Sequence, residues 1–206
     1  SNMGYQFIWG TCLDRSDLAV DRLFLEPEVE GGPVSFEGRR PLAGHRLTLW
    51  SISFEEDYFH LARMLHAAGV PLRAAERGEG DPFVLVGGPG VTANPEPVAV
   101  LCDAVVIGDG EPFMAEAVAD LEAFARGRLD RTALKERLAG LRGVYLPERH
   151  PAPVLHEKPP VPQADSPFRV ERTEAVAISE DVITSRVITP ASVCLLYTSD
   201  AADEED

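Results

Sequence analysis

Asp103-Ala104-Val105-Val106-Ile107-Gly108-Asp109-Gly110-Glu111 is the stretch whose reading sets the architecture. Its first half is a short apolar run of β-favouring residues. It stops at a glycine loop, as a strand buried on both faces of a parallel sheet does. Beyond the loop, Phe113, Met114, Ala117, Val118, Leu121, Phe124 and Ala125 give a helix one apolar face, and Gly127 suits its C-terminal cap. Strand, glycine loop and helix in this order predict one unit of a parallel sheet flanked by helices.

The same rhythm extends upstream. Phe83-Val84-Leu85-Val86 reads as a second buried strand that runs into the loop Gly87-Gly88-Pro89-Gly90. Asn94-Pro95-Glu96-Pro97 predicts a cap with proline near the first turn of a short helix over residues 98–101. Leu47-Thr48-Leu49-Trp50-Ser51-Ile52 predicts a third strand. Ser53 then stands three residues before Glu56, the capping-box spacing, and Phe54, Tyr58, Leu61, Ala62, Leu65 and Ala68 form a helical apolar stripe ended by Gly69 and Pro71. Earlier still, residues 5–13 read as a helix, 22–25 as a strand and the Gly-, Pro- and Glu-rich residues 26–41 as an exposed loop.

Downstream the character changes. Pro151, Pro153, Pro159, Pro160, Pro162 and Pro167 predict an extended linker, which puts a domain boundary near residue 148. Alternating stretches within residues 170–190 read as edge strands without a sheet of their own.

Composition narrows the function classes. The 206 residues are 45% hydrophobic and 26% charged, enough for one sizeable α/β core. Lys plus Arg number 19 against 34 Asp plus Glu, a net charge of −15, and five of those acids fall within residues 200–206. Such a surface repels phosphate backbones and anionic lipid, which argues against nucleic acid as a partner. Cys12, Cys102 and Cys194 match neither a disulfide framework nor a CxxC metal clip, and a reducing cytoplasm fits them best. No apolar run approaches the ~20 residues of a spanning helix, and no basic-then-apolar leader opens the chain.

Ligands of such sheets sit beyond the carboxyl ends of the strands, where the two glycine loops are predicted to lie side by side. The alternative is that these glycines only make tight turns. Neither loop is a GxGxxG fingerprint or a GxxxxGK phosphate loop. Glu96, Asp109 and Glu111 are candidates for acid/base or metal-ligating work, yet an acid in a first helical turn is also stabilised by the helix dipole, by roughly 0.3–1 kcal/mol. His60 and His66, six apart on one helix, do not share a face at metal-ligand spacing. His45, His150 and His156 stand in loop or linker contexts, no Ser or Cys stands in a nucleophile elbow, and Cys12 and Cys102 read as small core residues.

The series Ser51-Ile52-Ser53-Phe54-Glu55, Ala68-Gly69-Val70-Pro71-Leu72, Val86-Gly87-Gly88-Pro89, Asn94-Pro95-Glu96-Pro97 and residues 103–111 resembles the N-terminal region of radical SAM proteins that contain a cobalamin-binding domain. Within them it resembles the subfamily carrying GGP, NPEP and GEGE signatures in order, over about residues 1–190. Asp109 stands where glutamate is usual. The resemblance implies a flavodoxin-like, Rossmann-type parallel sheet over residues 1–147. Residues 148–193 would then be a Pro-rich linker to a partial TIM barrel whose CxxxCxxC loop holds a 4Fe-4S cluster that cleaves S-adenosylmethionine. The candidate cofactor-side residues are Gly87, Gly88, Pro89, Asn94, Glu96, Gly108, Asp109, Gly110 and Glu111.

The cysteine trio is missing from this chain. In the family it follows soon after the stretch matching residues 184–192, where this chain instead has a segment, residues 194–204, that resembles the translated end of a transposon sequencing adaptor. Residues 194–206 are therefore expected to be a non-native tail. Ser1-Asn2-Met3-Gly4-Tyr5-Gln6 resembles the family's SNLGFQ, which follows its first strand; alternatively Ser1-Asn2 is a tag remnant before Met3. On either reading the sheet is expected to lack its first strand, to be incompletely paired, and to be marginally stable.

The implied function is that of an accessory domain of a radical SAM iron–sulfur enzyme, inactive by itself, with the small-molecule substrate bound through the barrel. Cobalamin is a further cofactor expectation, although the DxHxxG loop of histidine-on binders is absent. Two alternatives remain open: a stand-alone cobalamin- or nucleotide-binding module, and a domain whose acidic face docks a basic protein partner.

Overall fold

The computed structural model describes residues 3–15, 18–24, 32–149 and 194–197. In chain order the elements are α1 (Met3–Leu13), β1 (Asp21–Phe24), β2 (Leu47–Ser51), α2 (Asp57–Ala67), β3 (Phe83–Gly87), α3 (Pro89–Ala93), α4 (Glu96–Ala99), β4 (Ala104–Val106), α5 (Gly110–Ala125), α6 (Arg131–Leu138), β5 (Val144–Tyr145) and β6 (Cys194–Tyr197). One sheet has the order β1-β6-β2-β3-β4-β5. Every pairing is parallel except that of β5 with β4. This is an open, flavodoxin-like α/β sheet with helices on both faces.

Strand periodicity builds the two layers. Alternate residues of a strand point to opposite faces, and here they divide into two cores. Leu47 and Leu49, Phe83 and Leu85, Ala104 and Val106 face one cluster with Trp9 of α1, Met114, Leu121 and Phe124 of α5, and Leu134 of α6. Trp50, Val84, Val86 and Val105 face the other, with Leu61, Met64 and Leu65 of α2, Val91 of α3 and Val98 of α4. Each such side chain removed from water contributes about 1.5–3 kcal/mol. Both faces of β2, β3 and β4 are therefore covered, which explains their continuous apolar sequences.

The amino ends of β3 and β4 meet over a buried charge. Asp103, one residue before β4, accepts hydrogen bonds from Arg77 Nη1 (3.0 Å), Arg131 Nη1 (2.5 Å) and the Val84 amide (2.9 Å), and its side chain has no solvent exposure. The Arg77 guanidinium also donates to the carbonyls of Pro71, Leu72 and Leu101. Arg131 donates to those of Gly78, Asp81 and Pro82. One carboxylate and two guanidiniums thus join β3, β4, the 71–82 connection and α6.

The free edge of β1 is covered. Phe36 N donates to Arg22 O (2.7 Å), Arg22 N to Glu37 Oε2 (2.6 Å), and Gly38 N to Asp21 Oδ1 (3.0 Å). His45 bridges Pro41 O and Asp21 Oδ2 through its two ring nitrogens, both at 3.1 Å, and clamps this loop against the sheet. Covering an edge in this way blocks pairing with another chain.

Several sequence expectations are corrected. The sheet, expected to be incompletely paired, has residues 194–197 between β1 and β2 as β6. The Ser53–Glu56 capping box does not form. Instead the buried Asp57 accepts from the amides of Ser53 (2.7 Å) and Phe54 (3.1 Å), which turns the chain into α2. Phe54, placed on the apolar stripe, lies before that helix and is 58% exposed. Residue 89 begins a short helix rather than continuing a loop. The edge strands read within residues 170–190 and most of the 148–193 linker lie outside the described residues.

Asp103→Ala leaves two buried guanidiniums without their shared carboxylate, and the expected loss is about 3–5 kcal/mol. Urea unfolding of the variant against the parent chain checks this; a loss below about 1 kcal/mol would mean that the cluster is solvated.

Candidate functional site

The carboxyl ends of β3 and β4 lie together because Val86 pairs with Val105 in parallel register. The two glycine corners consequently emerge on one edge of the sheet. The first is stitched to the exit of β2: Ile52 N donates to Gly87 O (2.8 Å), and Gly90 N donates to Ile52 O (3.0 Å). Gly88 has φ +112°, and a Cβ there would stand 2.5 Å from Ile52 O. Only glycine meets both demands, because L side chains avoid this region of φ and the backbone approach leaves no room. Pro89 then opens α3 at the position where its missing N–H is not needed.

The second corner is joined to the first. Gly108 N donates to Thr92 Oγ1 at 3.0 Å, so α3 and the turn into α5 form one continuous surface. Asp109 occupies the N-cap position of α5 in an extended conformation (φ −75°, ψ 142°), and Glu111 lies in the first turn of the helix. A Cβ on Gly110 would come within 3.2 Å of Ile8 Cδ1, which seats the start of α5 against α1. Residues 87, 88 and 108–111 are half-buried, Pro89 is exposed and Gly90 is buried.

Asn94 and Glu96 serve neighbouring contacts. Asn94 Oδ1 accepts from Glu96 N (3.2 Å), while its carbonyl and that of Gly90 share the Tyr58 hydroxyl, each at 3.1 Å. Glu96 Oε1 accepts from Tyr145 Oη at 2.7 Å. Burial, and then the hydrogen bond and charge of Glu96, push the Tyr145 hydroxyl pKa well up. This bond links α4 to the edge strand β5. The structure thus brings residues 87–90 and 108–111 together and gives Glu96 a structural partner.

Chemically the edge is a surface of backbone and two acids. Among the described residues no group of three or more His, Cys, Asp or Glu could hold a metal ion. The described histidines, His45, His60 and His66, do not lie on either corner. Cys12 and Cys102 are buried in the cores on opposite faces of the sheet, so they cannot share a cluster. Burial pushes the Cys12 thiol up to about 12 and the Cys102 thiol higher still. They fit neither a 4Fe-4S site nor a nucleophile. The two cysteines are core residues, as their sequence contexts indicate.

Thr92, Tyr58 and Tyr145 were not read from sequence as parts of this edge. Tyr58 stood out only as a member of an apolar stripe. The one local signal for Thr92 was the proline opening its helix, which places a hydroxyl three residues along.

The corner geometry separates two substitutions. Gly88→Ala forces a Cβ into Ile52 O at a positive φ and is expected to destabilise by about 2 kcal/mol or more. Gly87→Ala meets only Val106 Cβ at 3.6 Å, an ordinary contact, and is expected to stay within about 1 kcal/mol. Paired urea midpoints measure both; equal effects would contradict the stitched corner.

Among the described residues no helix is long and apolar enough to cross a membrane. Comparison with curated proteins and with solved structures returns no match. The family model described as "Radical SAM proteins, N-terminal" matches residues 4–147, the α1-to-β5 body that carries both corners. The chain belongs to the family of radical SAM protein N-terminal regions.

Proposed function

We propose that this chain is an accessory domain of a cytoplasmic radical SAM iron–sulfur enzyme and that residues 87–90 and 108–111 wall its substrate cavity. The observation that carries the reading is the Gly108–Thr92 hydrogen bond, which fuses two glycine corners into one surface on the strand edge where α/β sheets receive ligands. In this reading residues 148–193 lead to the catalytic barrel and residues 194–206 are a tail foreign to the enzyme.

The cluster and S-adenosylmethionine belong to the barrel, and no step through them is assigned to residues of this chain. The edge contributes shape and negative charge through Asp109 and Glu111. Backbone corners held by hydrogen bonds at both ends give a cavity wall that needs no ordering when substrate arrives. Cobalamin finds no axial imidazole on either corner.

The test begins with the genomic reading frame that encodes residues 3–149. It is expected to continue into a CxxxCxxC trio, and a natural frame that closes without one would overturn the proposal. In the whole enzyme, Asp109→Lys is expected to lower substrate turnover with cluster content unchanged, whereas unaltered turnover would remove the wall role. Hydroxocobalamin is expected to leave its visible spectrum unshifted on addition; a shift would favour a cobalamin-binding module.

A further inference from the structure

The loop that covers the free edge of β1 is fastened by a buried pair. His45 and Asp21 have side chains 1% and 3% exposed, and His45 Nε2 lies 3.1 Å from Asp21 Oδ2. The other ring nitrogen, Nδ1, lies 3.1 Å from Pro41 O, which also accepts from Gly44 N at 2.9 Å. Asp21 Oδ1 accepts from Gly38 N (3.0 Å), and a Cβ on Gly38 would stand 2.8 and 2.9 Å from the two carboxylate oxygens. The loop thus closes directly on the carboxylate.

Proton counting decides what this geometry demands. A backbone carbonyl and an ionised carboxylate only accept, so both ring nitrogens must donate and the ring needs two protons. Moving one of them onto Asp21 leaves the count for the pair at two. With one proton gone, a bare nitrogen faces an oxygen in a place closed to water, and a buried bond left unmade is costly. A closed loop that holds one proton more than the open loop weakens as pH rises. The charges around the pair are Arg40 of the same loop and the Arg22–Glu37 ion pair one residue along β1. Arg40 Nε is 3.8 Å from Asp21 Oδ2 but half exposed, so water and salt screen it. Arg46, the next residue after His45, donates instead to Phe124 O.

We propose that Asp21 and His45 form a proton-operated latch. With two protons on the pair, residues 33–44 lie closed over β1. Loss of one releases them and uncovers the outer main chain of the strand, beginning at Arg22 O, which Phe36 N holds at 2.7 Å in the closed form. The inference concerns this loop and β1 and does not rest on the radical SAM reading.

NMR on the full chain labelled with 15N tests this. At about pH 7.5, where a free imidazole has lost one proton, both ring nitrogens of His45 are expected to carry protons. A single protonated nitrogen there, with the Phe36 and Gly38 amides still protected from exchange, would overturn the proposal. Between about pH 6 and about pH 9 the protection factors of those two amides are expected to fall at least about tenfold, while that of the Gly90 amide, bonded to Ile52 O, holds. Unchanged protection at the loop, or an equal fall at Gly90, also overturns it. Asp21→Asn supplies a carboxamide whose oxygen can accept from Gly38 N and whose NH2 can donate to Nε2, so a ring with one proton makes both of its bonds. That variant is expected to keep the loop closed at about pH 9, and opening with the parent's pH dependence would contradict the latch. The ring-proton count is read on the unaltered chain and does not depend on the variant folding.

Discussion

The buried carboxylate of Asp103 is the constraint on which the rest of the arrangement depends. It accepts the Val84 amide, and the Asp103 amide in turn donates to Val84 O at 2.9 Å, so β3 and β4 are locked at their amino ends. With the two strands parallel and in fixed register, their carboxyl ends must emerge side by side. Desolvating an ion here is offset only because Arg77 and Arg131 bring two opposite charges. Further N–H groups of both guanidiniums donate to backbone carbonyls, those of Leu72 and Leu101 for Arg77 and that of Asp81 for Arg131.

The two edges of the sheet are accordingly different in kind. The amino edge concentrates charge in networks, Asp103 with its arginines and Asp21 with His45. The carboxyl edge is made of glycine turns held by close contacts, backbone against backbone at Gly88 and Ile52 and backbone amide to side-chain hydroxyl at Gly108 and Thr92. Placing rigidity at one edge and closely shaped backbone at the other suits a domain that presents a surface to another domain. The match to the N-terminal region of radical SAM proteins gives that surface a family context.

The layered sheet was legible in the sequence because buried parallel strands write themselves as unbroken apolar runs ending in glycine, as residues 83–90 and 103–110 do. The adjacency of the two corners followed from the same reading. The Asp103 cluster was not legible, since Arg77 and Arg131 lie 26 and 28 residues from their partner and nothing local distinguishes them from surface arginines. Helix α6 is too polar to show a stripe, although Asp130 caps it through the Ala133 amide, and β5 is only two residues long. The occupation of the β1–β2 slot by β6 depends on pairing across most of the chain, which no local pattern encodes.

Amide hydrogen exchange resolved by residue, with NOE contacts recorded on the same sample, probes this account most directly. It predicts that the Val84 amide exchanges only through global unfolding and that the Gly108 amide shows an NOE to the Thr92 side chain. Val84 exchange at the rate of an exposed loop, together with no Gly108–Thr92 contact, would contradict it.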